Sequence, residues 1–205
     1  GMIAALAMPG TAQATPQLGD LGVKQSMSVK ASNGESLEGK DLRAIQLATY
    51  TAASVDGNTI VGYDLTTNTA LASDITAAAK AAGATDTNLT VNGKNDPMVW
   101  VVKNLTDSRS DPWSGKLRNF CNSLAKQTNF AKQDGTAVST LSQDKATMST
   151  GNVLVPGIYA IVDRTPATTT LSSGTAIKTT ASIMMMNGTA VNGVNQLRTA
   201  GGTTL

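Results

Sequence analysis

Hydrophobic periodicity changes twice along this chain, and that order of periods constrains the fold more than any other feature. The first part alternates. "QSMSVKASNG" sets Met27, Val29 and Ala31 against Ser26, Ser28 and Lys30, then ends in an Asn-Gly turn. "DLRAIQLATYTAASVDGNTIVGYDL" reads as two strands joined at Asp56-Gly57, a hairpin signal. Between about 72 and 130 the period becomes helical. "SDITAAAKAAG" has Ser73 as N-cap, Asp74 in the first turn and Gly83 as its stop. "DPMVWVVKNL" puts Pro97 at the first helical position, with Met98, Val101, Val102 and Leu105 able to share a face. "SGKLRNFCNSLAKQTNF" is amphipathic through Leu117, Phe120, Cys121 and Leu124. From about Ala137 strand signals return in "AVSTL", "NVLVPGIYAIVD", "TAIKTTASIMMMNG" and "TAVNGVNQLR". Strands, a helical block and strands again predict a mainly β chain with inserted helices (α+β): a β-sandwich with a helical insertion in one connection. Within it, "VLVPGIYAIVD" reads as a hairpin turned at Pro156-Gly157 and closed by Asp163.

Composition narrows the function classes. Aromatics are only 3% of the 205 residues, so core volume must come from Val, Ile, Leu and Met. Charged residues make up 15%, below the roughly 25% of ordinary soluble domains. The weakly charged, Thr-rich remainder suits exposed β-structure outside cells. A net charge of +2, with no basic stripe, gives nucleic acid no footprint. The chain has no His, which removes the usual general base, the commonest metal ligand and every His-based triad. Its single Cys, Cys121, allows no internal disulfide and reads as a core thiol on a helix.

The N-terminus has its own signature. Gly1 before Met2 resembles an expression leftover, and "MIAALAMPGTAQA" resembles the end of an export signal with a cleavage position after Ala14. Residues 1–14 are therefore expected to be a residual signal-like segment and 15–205 a single exported domain with its helical insertion at about 72–130. No apolar run is long enough to span a membrane, and "SIMMM" is strand-sized.

Chemical motifs are few. Gly93, Gly115 and Gly135 sit in no phosphate-binding or dinucleotide fingerprint, and no serine stands in a nucleophile elbow. Asp107 and Asp111 in "DSRSDPW" lack the regular oxygen spacing of a calcium loop. Trp100 and Trp113 read as packing anchors of the helical block rather than as a ligand platform. No cofactor and no metal are expected.

Taken in order, these segments resemble the N-terminal domain of the sortase-assembled pilin (fimbrial) subunits of Gram-positive bacteria, actinobacterial type. "SVKASNGESLEGKDLRAIQLATY" looks like that domain's first two strands. "DGNTIVGYDLTTNTALASDITAAAKAAG", "DPMVWVVKNL" and "KLRNFCNSLAK" look like its helical insertion, and "ASIMMMNGTAVNG" like its closing strand. The similarity runs from about residue 25 to residue 195. It implies an immunoglobulin-like, CnaB-like β-sandwich acting as a structural subunit of a cell-surface pilus, non-enzymatic and adhesive. Implied partners are other pilin subunits, a sortase and a host surface ligand. The sequence carries neither a Y-P-K motif nor an LPxTG sorting signal. The resemblance therefore implies the N-terminal domain of a longer pilin or a divergent relative.

Domains of this kind can join a Lys on an early strand to an Asn or Asp on the last strand through an isopeptide bond, helped by a buried acid. The motif that carries the acid aligns with "YAIVDRT", and the resemblance then implies Asp163 as acid, Lys30 as donor and Asn187 as acceptor. Burial would favour a neutral amine and a protonated carboxyl, the states that reaction needs. Against this, alternation puts Lys30 with Ser26 and Ser28 on a solvent face, and Asn187-Gly188 also reads as a turn. The other reading of the three residues is polar strand ends. From other classes, a stand-alone module binding a host glycan or matrix protein and a small hydrolase remain as alternatives.

Overall fold

A computed structural model of the chain describes residues 17–105, 115–177, 183–191 and 196–197. The protein is mostly β, with several antiparallel sheets and four short helices among the described residues. The strands are β1 (Gln17–Leu18), β2 (Ser28–Lys30), β3 (Leu42–Asp56), β4 (Thr59–Thr67), β5 (Thr90–Val91) and β6 (Lys94–Asn95). After the helical block come β7 (Thr136–Val138), β8 (Thr140–Leu141), β9 (Thr147–Ser149), β10 (Gly157–Asp163), β11 (Ile183–Gly188) and β12 (Gln196–Leu197). The helices are α1 (Ala72–Ala81), α2 (Pro97–Asn104), α3 (Gly115–Ala125) and α4 (Thr128–Ala131), preceded by a 3-10 turn at Thr69–Leu71.

The large sheet runs β11-β10-β3-β4-β12, with β1 and β7 also on β3. At 15 residues β3 is long enough to change neighbours along its length. Leu42–Ala44 lie between β10 and β7, Ala48 and Thr49 between β10 and β4, and Ser54 and Val55 between β4 and β1. The expected hairpin closes at Gly57, whose positive φ of 57° suits glycine there.

Both faces of the large sheet are covered at β10 and the first half of β3. On one face Ile45, Leu47, Ile158, Ala160 and Val162 pack against helical residues such as Ile75, Met98, Phe120 and Phe130. On the other, Leu42, Ala44, Tyr159 and Ile161 meet Met27, Val29 and Met148 of a small sheet ordered β2-β9-β8. A strand buried on both faces needs no polar alternation, which is why "GIYAIV" is continuously apolar and every residue of β10 is buried. Cys121, Leu124, Val101 and Val102 are buried on their helices, as helical spacing requires.

Pro156-Gly157 does not turn a hairpin. Leu154 makes only an isolated bridge to Gln25, and Val153 and Val155 are exposed, while β10 pairs with β3 and β11. Gly157 has another reason to be glycine. A Cβ there would sit 2.1 Å from the Ala48 carbonyl oxygen, so the close approach of β10 to β3 excludes any side chain. Ser73 likewise is not the cap of α1, since the 3-10 turn delivers the chain and Leu71 occupies that position.

The helical block is tied to the sheet by polar groups acting between distant elements. Asp74, buried in the first turn of α1, accepts the Phe130 N–H at 2.7 Å and so caps α4 from outside. Arg164 donates to the carbonyls of Ala131 and Phe130 at the other end of α4. Thr67 of β4 serves α2 in the same way: its hydroxyl accepts the Met98 N–H and donates to Asp96. Asp74→Ala is expected to cost about 1–3 kcal/mol in urea unfolding, because a buried amide at the start of α4 loses its acceptor. An unchanged midpoint would show that water replaces the carboxylate. Among the described residues, no helix is long and apolar enough to cross a membrane.

Candidate functional site

Asp163 is the last residue of β10 and pairs with Leu42, the first of β3. Alternation along β10 puts it on the same face as Tyr159 and Ile161, the face that meets the small sheet. Its side chain is wholly buried. Oδ2 accepts from the Lys40 ammonium at 3.0 Å, while Oδ1 accepts from the Thr165 amide at 2.9 Å and from its hydroxyl. The Thr165 hydroxyl oxygen accepts in turn from the Asp41 N–H at 2.9 Å, and the Arg164 N–H donates to the Asp41 carbonyl. Two chain segments, 40–41 and 163–165, are thereby laced together across the β3–β10 junction.

Burial alone would push the Asp163 carboxyl up. The Thr165 hydroxyl and amide and the Lys40 ammonium outweigh it and hold the group below its ordinary value. Asp163 is therefore a carboxylate at neutral pH. The protonated acid that would polarise an amide is not the state this environment favours.

The other two expected members of the trio lie elsewhere. Lys30 sits on β2 of the small sheet, exposed, with Val29 pointing inward beside it. The alternation of "MSVK" imposes that orientation, because Met27 and Val29 are needed in the core. Asn187 of β11 lies opposite Tyr159, four positions from Asp163 along β10 and so about 13 Å away along the strand. Its side-chain oxygen accepts the N–H of Gly188. Asn187 does line a shallow recess of about 380 Å³ with Gln25–Ser28, between β11 and β2, but Lys30 lies outside it. The structure thus brings Asp163 to Lys40 and Thr165, not to Lys30 and Asn187. Lys40 carries no strand alternation of its own, since it precedes β3, and only the register of β3 on β10 reveals its role.

A second candidate is a groove of about 880 Å³ between β4, the β5–β6 hairpin and α2. Its lining includes Tyr63, Leu65, Val91 and Val99 as apolar surface and Asp64, Lys94 and Lys103 as charge. Asp96 also borders it but is committed to the Thr67 amide and hydroxyl, which holds the start of α2 against the end of β4. Tyr63 packs edge-on against buried Tyr50, ring centroids 5.8 Å apart, and so forms a fixed floor. Trp100 packs partly buried against the helical core rather than standing free as a platform. Asp107, Asp111 and Trp113 lie outside the described residues. Among the described residues, no group of three or more Cys, Asp or Glu side chains is placed to hold a metal ion.

Comparison with known protein families, with characterised proteins and with solved structures finds no match for this chain.

Proposed function

We propose that the chain is a structural, non-enzymatic domain of a cell-surface pilus subunit, of the kind found at the N-terminus of sortase-assembled pilins. One observation carries this reading most directly. The two buried carboxylates among the described residues, Asp74 and Asp163, each join segments far apart in sequence, by 56 residues to Phe130 and by 123 to Lys40. Those are the connections a load-carrying domain needs, and at Asp163 they favour the carboxylate over the protonated acid. The order of strands, helical block and strands agrees with the resemblance, and the small sheet over the large one is, on this reading, a sandwich of the immunoglobulin-like, CnaB-like kind. Export to the cell surface and assembly with other pilin subunits by a sortase belong to the same proposal.

Antibodies raised against the purified chain provide the test. They are expected to label surface filaments of the producing cells and a ladder of detergent-resistant, high-mass species in cell-wall extracts. Labelling confined to the cytoplasm, or a single monomer band in those extracts, would overturn the proposal. The alternative of a binding module for a host glycan or matrix protein draws its support from the groove beside β4.

A further inference from the structure

Four of the chain's eight methionines meet in one place. Met27 precedes β2, Met148 is the middle residue of β9, and Met184 and Met185 follow one another on β11. All four belong to the packing between the small sheet and the large one, with Val29, Leu42, Tyr159 and Ile161. Successive strand residues ordinarily point to opposite faces. The register of β11 on β10 steps from Ile183 opposite Val162 to Met185 opposite Ile161, so Met184 is the extra residue of a bulge. The bulge lets two consecutive methionines reach the same side, while Ile183 before them and Met186 after them pack on the helical side.

Thioethers suit a seam between two sheets of different size, because an unbranched, flexible side chain fills irregular gaps. They also bring a reactivity that Leu or Val would not. Their access differs. Met27 and Met148 are 6% and 5% exposed, whereas Met184 and Met185 are half-buried, so solvent reaches the seam along β11. Met98, in the helical core, is fully enclosed.

We infer that this methionine seam is an oxidation site, at which a peroxide converts Met184 and Met185 to sulfoxides and loosens the small sheet from the large one. A sulfur lone pair attacks one peroxide oxygen, and the S–O bond forms as the O–O bond breaks. The proton of the transferred hydroxyl passes to the departing hydroxide, and water leaves. Sulfur gives up two electrons and the peroxide takes them. The product places a polar oxygen against the apolar side chains of the seam, where burying it is costly. A methionine sulfoxide reductase restores the thioether. The site does not depend on the chain being a pilus subunit.

Hydrogen peroxide applied to the full chain, followed by peptide mass mapping and amide exchange, tests it. Sulfoxide should appear at Met184 and Met185 before Met27, Met148 and Met98. The amides of Ala31, Ser139 and Thr150, bonded to the carbonyls of Ala146, Ser149 and Met27, should then exchange about tenfold faster. The Phe130 amide, held by Asp74 on the helical side, should keep its rate. Reductase treatment should return the small-sheet amides to their starting rates. Met184→Leu with Met185→Leu, a volume-conserving exchange that cores tolerate, should abolish the response, and Met186→Leu should retain it. An unchanged response in the double variant would overturn the proposal. So would small-sheet exchange that stays constant with both sulfoxides formed, or oxidation of Met98 as fast as of Met184 and Met185.

Discussion

Asp163→Ala is expected to lower the melting temperature by about 6–20 °C, the equivalent of about 3–5 kcal/mol in a domain of this size. The change removes the acceptor shared by the part-buried Lys40 ammonium and by the buried amide and hydroxyl of Thr165. Asp163→Asn keeps the shape and can still accept from Thr165, so it should fall between wild type and Ala. The pH dependence separates charge from packing. The folded-state carboxyl is held below its ordinary value, so its contribution is fully present above pH about 4 and is lost as pH falls through the folded value. Wild type should therefore lose part of its advantage over Asp163→Asn on acidification from neutrality to below pH about 4. A constant difference between the two across that range would mean that the carboxylate charge is not what holds the junction.

Gly157→Ala carries the other large expectation. The added methyl meets the Ala48 carbonyl at 2.1 Å and the Thr49 Cα at 3.0 Å, and both are backbone atoms that no rotamer change can move. Separating β10 from β3 at this point also disturbs the reciprocal bonds between Gly157 and Thr189. The expected cost is about 3 kcal/mol or more in chemical denaturation. Gly62→Ala is the matched control, since its Cβ meets open space; it should be neutral or stabilise by about 0.4–1 kcal/mol through the unfolded chain. Equal effects of the two substitutions would show that the strands separate at little cost.

Periodicity made much of this fold legible. The hairpin at Asp56-Gly57, the Pro97 start of α2, and the buried faces of α2 and α3 all follow from local spacing that tertiary packing reinforces. What it missed is non-local. "VLVPGIYAIVD" contains a turn dipeptide between apolar runs, yet Gly157 answers to Ala48, more than 100 residues earlier. Nothing in the local pattern distinguishes a glycine that turns from one that makes room. Ser73 has the right chemistry for a cap, but the turn at Thr69–Leu71 decides where α1 begins. At the candidate site, the strand-end position of Asp163 was readable from "YAIVDRT", and the outward Lys30 from alternation. Lys40 was not, because a residue just outside a strand has no period, and only the pairing of Leu42 with Asp163 carries it there.

That same pairing sets a timetable. As the chain is made, β3 meets β4 almost at once, across the short turn at Gly57. Its other edge must wait for β10, which begins more than 100 residues after β3 and ends with Asp163 opposite Leu42. At ribosomal speeds of about 5–20 residues per second, that interval is about 6–24 s. For those seconds a 15-residue strand, whose Leu42, Ala44, Ile45 and Leu47 belong to the cores on its two faces, has about half its hydrogen-bonding groups unclaimed. Whatever escorts the nascent chain has to shield β3 above all, and the lacing of 40–41 to 163–165 marks the moment when that protection is no longer needed.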